Sequence, residues 1–182
     1  YYNMDTLWLE KYRPKTLKDY LGNKDDILEI KKWLSNFKNR KEKFLILHGP
    51  PGIGKTTIAH LIFNEFEYRV IEINSSEQRS KKIISEKINS ITKKNILLKT
   101  NGDYMKSGLL LDELDGTVNN NEISAIAELY KIISTKKNNY PIICTCNSIK
   151  IKNIKLMLKI SLLIELELPE KKNILKLANN II

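Results

Sequence analysis

The sequence lacks the long apolar runs and the leader that would indicate a membrane-bound or exported protein. No stretch approaches the roughly 18 consecutive apolar residues that a membrane span needs. The N-terminus carries charges where a signal peptide would be apolar, and Met4 is a candidate start that leaves residues 1–3 as an extension. We therefore expect a soluble protein that is not exported and has no membrane partner.

Cysteine is scarce as well, since only Cys144 and Cys146 are present. One residue separates them, so a β-strand would point both side chains to the same face. Such neighbours suit neither a disulfide nor a zinc site that lacks further Cys or His ligands. We expect two buried, small hydrophobic side chains and a reducing compartment.

Acidic residues are few relative to basic ones, with 21 Asp and Glu against 31 Lys and Arg and a net charge of +10. This excess favours a polyanionic partner such as nucleic acid, because binding releases counterions. A genome-wide bias toward A and T would also enrich Lys, Asn and Ile. Charge alone therefore leaves both explanations open.

Short apolar runs alternate with helical patterns along the 182 residues. Strands are predicted at 43–48, 68–74, 108–113, 140–147 and 162–168. Helices are predicted at 25–37, 56–66, 76–91, 121–134 and 151–160, and from Pro169 onward. The alternation predicts an α/β fold, a three-layer αβα sandwich around a five-stranded, mostly parallel sheet. The one long irregular connection, 92–107, is a candidate binding loop or a disordered insertion.

The motif HGPPGIGKTT follows the first predicted strand and precedes a helix. It contains the pattern G-x-x-x-x-G-K-T, whose glycines let backbone N–H groups face phosphates while the helix N-terminus adds partial positive charge. Lys55 is predicted to reach the β- and γ-phosphates, and Thr56 to ligate Mg²⁺. The predicted nucleotide-binding residues of the loop are Gly49, Pro50, Pro51, Gly52, Ile53, Gly54, Lys55, Thr56 and Thr57.

The second half of the predicted site is LLLDELD, at the end of strand 108–113. Asp112 is predicted to hold Mg²⁺ through water, and Glu113 to orient or deprotonate the attacking water. A Glu at this position is typical of hydrolysing ATPases rather than kinases, whose acceptor is a substrate hydroxyl. Asn147, at the end of strand 140–147, is expected to contact the γ-phosphate or that water. Lys55, Glu113 and Asn147 are thus the predicted catalytic residues.

Several segments together resemble the large subunits of replication factor C, the sliding-clamp loaders of the AAA+ ATPases. They are LWLEKYRPKTL (the N-terminal box), GPPGIGKTT (Walker A), LLLDELDG (Walker B) and CTCNS (sensor 1). The resemblance runs over essentially the whole chain and implies a P-loop NTPase fold of the AAA+ type that uses ATP and Mg²⁺. It also implies that Tyr12, Arg13 and Pro14 lie beside the nucleotide.

The large-subunit resemblance rests on smaller features. EINSSEQRSKK (72–82) is similar to a box of the large subunits, whereas small subunits typically have Gly directly after the Arg of this box. In addition, Gly116 stands where small subunits usually carry Ser. Ile160 falls where small subunits place the Arg that reaches a neighbour's ATP site. The resemblance therefore implies that this chain donates no arginine finger and receives one from the adjacent small subunit.

The resemblance also implies partners: small clamp-loader subunits in a hetero-pentamer, the sliding clamp and primer-template DNA. Arg79, Lys81 and Lys82 match positions that contact template phosphates, with a solvated helix start as the alternative. Ile96, Leu97 and Leu98 lie near the family's clamp-binding wedge, with core packing as the alternative. The chain departs from the family at Glu77 and at 122–125, and the second departure leaves one family DNA contact without its residues.

Residues 1–182 are expected to form one AAA+ ATPase domain, with 1–24 as the nucleotide-adjacent box and 25–182 as the αβα core. The chain stops at Ile182, before the family's helical lid and collar, so we expect either a fragment or a partner that supplies those parts. The expected location is the nucleus in a eukaryotic cell and the cytoplasmic site of replication otherwise. Alternatives are a checkpoint or origin-recognition AAA+ ATPase, a non-hydrolysing ATP-dependent scaffold, against which Glu113 argues, and a P-loop kinase.

Overall fold

The computed structural model describes residues 11–74, 106–116, 140–150 and 152–181. Within these ranges one five-stranded sheet has the order β2-β3-β4-β1-β5, and every neighbouring pair is parallel. The strands are β1 Phe44–His48, β2 Tyr68–Ile73, β3 Lys106–Leu111, β4 Ile142–Cys146 and β5 Ser161–Glu165. The helices are α1 Lys24–Ser35, α2 Lys55–Glu65, α3 Lys152–Met157 and α4 Lys171–Ile181, with 3₁₀ turns at Phe37–Asn39, Leu114–Gly116 and Leu158–Ile160. The predicted α/β fold with a parallel sheet is confirmed.

The central strands β1 and β4 carry almost continuous apolar sequence because both faces of the sheet are covered. Leu45 and Leu47 of β1 pack with α1 and α2, whereas Phe44 and Ile46 pack into a second cluster that includes Ile154 of α3. Two apolar clusters therefore lie on opposite faces of the sheet, as a three-layer arrangement requires.

Helix α1 covers one face of the sheet near the start of β1. Asn23 caps it by accepting a hydrogen bond from the Asp25 N–H at 2.9 Å, and the acidic first turn suits the positive end of the helix dipole. Trp33 is fully buried and donates its indole N–H to the carbonyl of Glu42. Trp33 is therefore a packing residue of the core. The helix ends at Ser35, two residues earlier than predicted, because the chain continues into a 3₁₀ turn.

Strand boundaries differ from the prediction where pairing decides them. β3 begins at Lys106, opposite Tyr68 of β2, so the last two residues of the predicted irregular segment 92–107 belong to a strand. β3 ends at Leu111, because Glu113 has a left-handed φ of 54° that no strand accommodates. β5 ends at Glu165, opposite His48, because its partner strand β1 stops there.

Cys144 and Cys146 are both free and buried in the same apolar cluster, as expected. Burial raises the pKa of the Cys146 thiol to about 12. Across the described part of the chain, no helix combines the length and apolarity needed to cross a membrane. The predicted helices 76–91 and 121–134 lie outside the described residues.

Candidate nucleotide site

The loop 49–54 joins the carboxyl end of β1 to the N-terminus of α2. Gly52 and Gly54 have left-handed φ values of 78° and 90°, which L side chains rarely adopt. Gly54 also lies against Tyr20, since a Cβ built there would stand 2.9 Å from Tyr20 Cε2. The N-cap residue of α2, Gly54, makes no side-chain cap hydrogen bond, which suits a helix N-terminus that binds an anion.

Lys55, the first residue of α2, is buried at the centre of this loop. Its ammonium group donates to the carbonyl oxygens of Gly49 (2.9 Å) and Pro50 (2.7 Å) and to Asn147 Oδ1 (2.7 Å). Burial lowers the pKa of Lys55, and the charge of Asp115 is the largest influence that opposes this lowering. The lysine is therefore a desolvated cation held by loop carbonyls and by the residue after β4.

Asp112 lies immediately after β3 and is buried between two threonines. Its Oδ1 accepts hydrogen bonds from Thr56 Oγ1 at 2.7 Å and from Thr145 Oγ1 at 2.6 Å. Thr145 Oγ1 in turn accepts from the backbone N–H of Glu113 at 2.9 Å. One hydroxyl thus links the two acidic residues to β4 and supports the left-handed backbone of Glu113, whose side chain is exposed.

A cavity of about 670 Å³ opens beside the loop. The segment 11–15 forms one wall and the loop forms another, with Tyr20 between them, and residues of α4 and the chain before it complete the lining. Tyr20 donates its hydroxyl to the carbonyl of Ile53 at 3.2 Å. Burial and the charge of Asp26 raise the pKa of Tyr20 to about 12.

The structure divides the predicted site residues into two neighbouring groups. Those around the lysine, at the carboxyl ends of β1, β3 and β4, are Gly49, Pro50, Lys55, Thr56, Asp112, Glu113 and Asn147. Those that line the cavity are Tyr12, Arg13, Pro14, Pro51, Gly52, Ile53, Gly54 and Thr57. The residues proposed for DNA and clamp contacts, Arg79, Lys81, Lys82, Ile96, Leu97 and Leu98, lie outside the described residues.

Ile160 ends the 3₁₀ turn before β5, where it is half-buried and packs against the cluster that contains Cys144. Its carbonyl accepts a hydrogen bond from the Lys43 N–H at 2.9 Å. The position therefore carries a core-packing side chain.

Sequence reasoning missed Thr145, Asp115 and Tyr20. Thr145 is the one hydroxyl in the otherwise apolar strand β4, a signal that was available. Asp115 follows the two predicted acids by two residues, and its contacts with residues after β4 could not be read from spacing. Tyr20 lies in a segment that only the family resemblance had placed near the nucleotide.

The comparison with protein families gives one decisive match. The model of the family "ATPase family associated with various cellular activities (AAA)" matches residues 45–168, which include every residue around the buried lysine. The chain belongs to the AAA family of ATPases.

Relatives of this AAA domain confirm the resemblance to replication factor C large subunits. The protein of that name from Methanococcus maripaludis (strain C5) is 37% identical over 144 residues, which cover 78% of this chain and 28% of the relative. The Replication factor C subunit 1 of Schizosaccharomyces pombe is 39% identical over 163 residues, covering 78% of this chain and 17% of the relative. The chain thus spans less than a third of the length of these two relatives.

Solved structures of low sequence identity share the fold of the AAA domain. A Thermotoga maritima RuvB variant matches with a TM-score of 0.65 at 18% identity, covering 93% of this chain and 54% of that chain. A katanin structure matches with a TM-score of 0.60 at 17% identity, covering 82% of this chain and 53% of that chain. These likenesses agree with the three-layer αβα P-loop NTPase architecture.

Proposed function

We propose that this AAA domain binds ATP with Mg²⁺ and hydrolyses it as part of the large subunit of a sliding-clamp loader. The observation that carries the proposal is the contact of Lys55 Nζ with Asn147 Oδ1, beside the hydrogen bond between Thr56 and Asp112. Groups suited to the phosphates, the metal ion and the attacking water converge at the same end of the sheet.

Lys55 binds the phosphates in this proposal. An ammonium group has three donors, and all three have acceptors in the structure. A phosphate oxygen would replace one of these carbonyl acceptors and give a stronger, charge-assisted hydrogen bond. Because burial already disfavours the charge of Lys55, an anionic ligand at this place relieves part of that cost.

Thr56 and Asp112 fit Mg²⁺, which prefers oxygen ligands and usually takes only one or two from protein, with water and phosphate completing the shell. Their oxygens lie 2.7 Å apart. Among the described residues, no group of three or more His, Cys, Asp or Glu side chains could form a closed metal cage. When bound, Mg²⁺ would supply positive charge against the phosphate oxygens.

Glu113 orients or deprotonates the water that attacks the γ-phosphoryl group in this proposal, giving ADP and phosphate. Its side chain is exposed whereas that of Asp112 is buried, so the two adjacent carboxylates are suited to different ligands. Asn147 is the third catalytic residue. Because its Oδ1 accepts from Lys55, its Nδ2 is left as a donor for the γ-phosphate or the attacking water.

The cavity beside the loop is proposed to hold the adenine and ribose. Tyr12, Arg13 and Pro14 line it together with Ile53 and Gly54, and the lining offers both apolar and polar groups. We take residues 1–24 as the nucleotide-adjacent box and 25–182 as the αβα core of one AAA+ ATPase domain. Tyr20, hydrogen-bonded to Ile53, connects the two parts.

The clamp-loader assignment is supported by relatives named Replication factor C large subunit at 30–38% identity. We propose small clamp-loader subunits in a hetero-pentamer, the sliding clamp and primer-template DNA as partners, at the site of replication, which is nuclear in a eukaryotic cell. Arg79, Lys81 and Lys82 are the proposed DNA contacts, and Ile96, Leu97 and Leu98 the proposed clamp contacts. Because Ile160 stands where small subunits carry the arginine finger, this chain donates none to a neighbour. We propose that its own ATP site receives an arginine finger from the adjacent small subunit.

ATP acts as a switch in this account. The γ-phosphate favours the subunit arrangement that grips clamp and DNA, and hydrolysis removes that preference. The test is ATP turnover of the chain alone, with small clamp-loader subunits, and with clamp and primer-template DNA added. We expect turnover to rise as each component is added. Tight ATP binding without turnover under every condition would instead identify a non-hydrolysing scaffold, and turnover that ignores the clamp would point to a checkpoint or origin-recognition ATPase.

A further inference from the structure

Asp115 joins the ends of β3 and β4, the neighbouring strands that are followed by the proposed catalytic residues Glu113 and Asn147. It lies in the 3₁₀ turn that begins directly after Glu113. Its Oδ2 accepts hydrogen bonds from the backbone N–H groups of Asn147 at 2.8 Å and Ser148 at 3.1 Å. One carboxylate from the β3 side therefore holds two successive residues on the β4 side.

These two hydrogen bonds hold Asn147, which strand pairing does not support. The ladder between β4 and β1 ends at Cys146, opposite His48, so Asn147 is the first residue beyond it. The side chain of Asn147 is exposed and reaches back to Lys55 at 2.7 Å. The hydrogen bond from the Asn147 N–H to Asp115 therefore fixes the backbone position from which the Asn147 side chain extends.

The carboxylate is not placed for stability alone. Its second oxygen, Oδ1, is buried and has no hydrogen-bond partner among the residues that the structure describes. A buried acceptor without a partner carries a desolvation cost, more so when the group is charged. The turn retains an acid at this point despite that cost, which favours a role beyond joining two loops.

We propose that Asp115 is a positioning residue that holds Asn147 for recognition of the γ-phosphate, so that the domain distinguishes ATP from ADP. The inference rests on the proposed function, in which Asn147 contacts the γ-phosphate. Asp115 itself touches neither nucleotide nor water in this account. It acts chiefly through the backbone of Asn147, so its effect is largest for the nucleotide that carries a γ-phosphate. Its charge also favours the ammonium group of Lys55, an effect that ATPγS and ADP share.

The test is the affinity of the full chain for the slowly hydrolysed analogue ATPγS relative to ADP, each with Mg²⁺, by calorimetry. This ratio needs no turnover and no partner subunit. Asp115→Ala should lower the ratio roughly 10-fold or more, because Asn147 loses its position and with it a hydrogen bond to a charged group. Its affinity for ADP should change little.

Asp115→Asn separates geometry from charge. One amide oxygen can still accept both backbone N–H groups, with Nδ2 in the place of the unpaired Oδ1, so the ratio should stay within about twofold of wild type. Asn23→Ala is the matched control, because it also removes a side-chain cap from a backbone N–H but lies outside the site. It should destabilise the fold without changing the ratio.

Asn147→Ala distinguishes a failure of the proposed function from a failure of the proposed role of Asp115. If it lowers the ratio as Asp115→Ala does, and the double variant is no worse than Asn147→Ala alone, the two residues act as one unit. If Asn147→Ala has no effect, or if no nucleotide binds, the proposed function fails and the inference with it. If Asn147→Ala lowers the ratio while Asp115→Ala leaves it unchanged, or lowers it independently, the inference alone is wrong.

Discussion

Lys55 Nζ lies 2.7 Å from Asn147 Oδ1, although 92 positions of sequence separate the two residues. The sheet order explains the contact. Strands β1 and β4 are parallel neighbours, with His48 opposite Cys146, so the loop after one strand and the residue after the other meet at the same edge. The proposed phosphate-binding lysine and the proposed hydrogen-bond donor to the γ-phosphate are therefore parts of one site.

We expect Lys55→Ala to abolish measurable ATP binding, because it removes the buried cation around which the loop is arranged. A filter-binding assay with labelled ATP checks this. Lys150→Ala is the control, since Lys150 is an exposed lysine on the loop after β4 and should leave binding unchanged. Retained affinity in folded Lys55→Ala protein would contradict the phosphate role of the loop.

The hydroxyl of Thr145 should contribute to stability as well as to the site. Thr145→Val keeps the shape of the side chain but leaves the Glu113 N–H without this acceptor and Asp112 with one donor fewer. We expect a loss of about 1–3 kcal/mol in the free energy of unfolding, measured in urea. Thr145→Ser restores the hydroxyl and should lose less, and equal losses for the two variants would show that the hydroxyl is not what matters.

Alanine substitutions at Gly52 and Gly54 separate the cost of a left-handed backbone from the cost of a steric contact. At Gly52 an added Cβ meets open space, so Gly52→Ala should cost only the left-handed backbone penalty of about 1–2 kcal/mol. At Gly54 the added methyl also meets the ring of Tyr20, so Gly54→Ala should be the more destabilising of the two in thermal or urea unfolding. Equal destabilisation would mean that Tyr20 yields freely and does not support the loop.

Alkaline pH should weaken the fold through buried tyrosines. Burial raises the pKa of Tyr140 to about 12, above the unfolded value of about 10. Because the folded state holds this proton more tightly, the contribution is fully present below about pH 10 and is lost as the pH rises through about 12. Urea unfolding across this range should show a steeper fall for wild type than for Tyr140→Phe, and identical slopes would contradict the assignment.

The sequence predicted those parts of the site that local motifs encode. HGPPGIGKTT and LLLDELD each combine a strand, a turn and functional side chains within ten residues, so Lys55, Thr56, Asp112 and Glu113 could be identified as candidates. The parallel sheet followed from the alternation of strands and helices. Both predictions depend on patterns that are local in the sequence.

The contacts that were missed depend on pairing between distant strands. Asp115 meets Asn147 only because β3 and β4 are neighbours in register, with Leu111 opposite Cys144. Thr145 reaches Asp112 for the same reason, and the start of β3 and the end of β5 are set by their partner strands rather than by their own composition. Composition and spacing carry no information on register until the sheet order is known.

The central claim is that Glu113 activates water for hydrolysis of ATP held by Lys55, and its most direct test is Glu113→Gln. The change removes the carboxylate while keeping the size of the side chain and the backbone bond to Thr145. In the presence of clamp, primer-template DNA and partner subunits whose own ATP sites have been inactivated, the steady-state rate of phosphate release should fall by about 100-fold or more, with ATP affinity unchanged. A Glu113→Gln chain that releases phosphate at the wild-type rate would contradict the account.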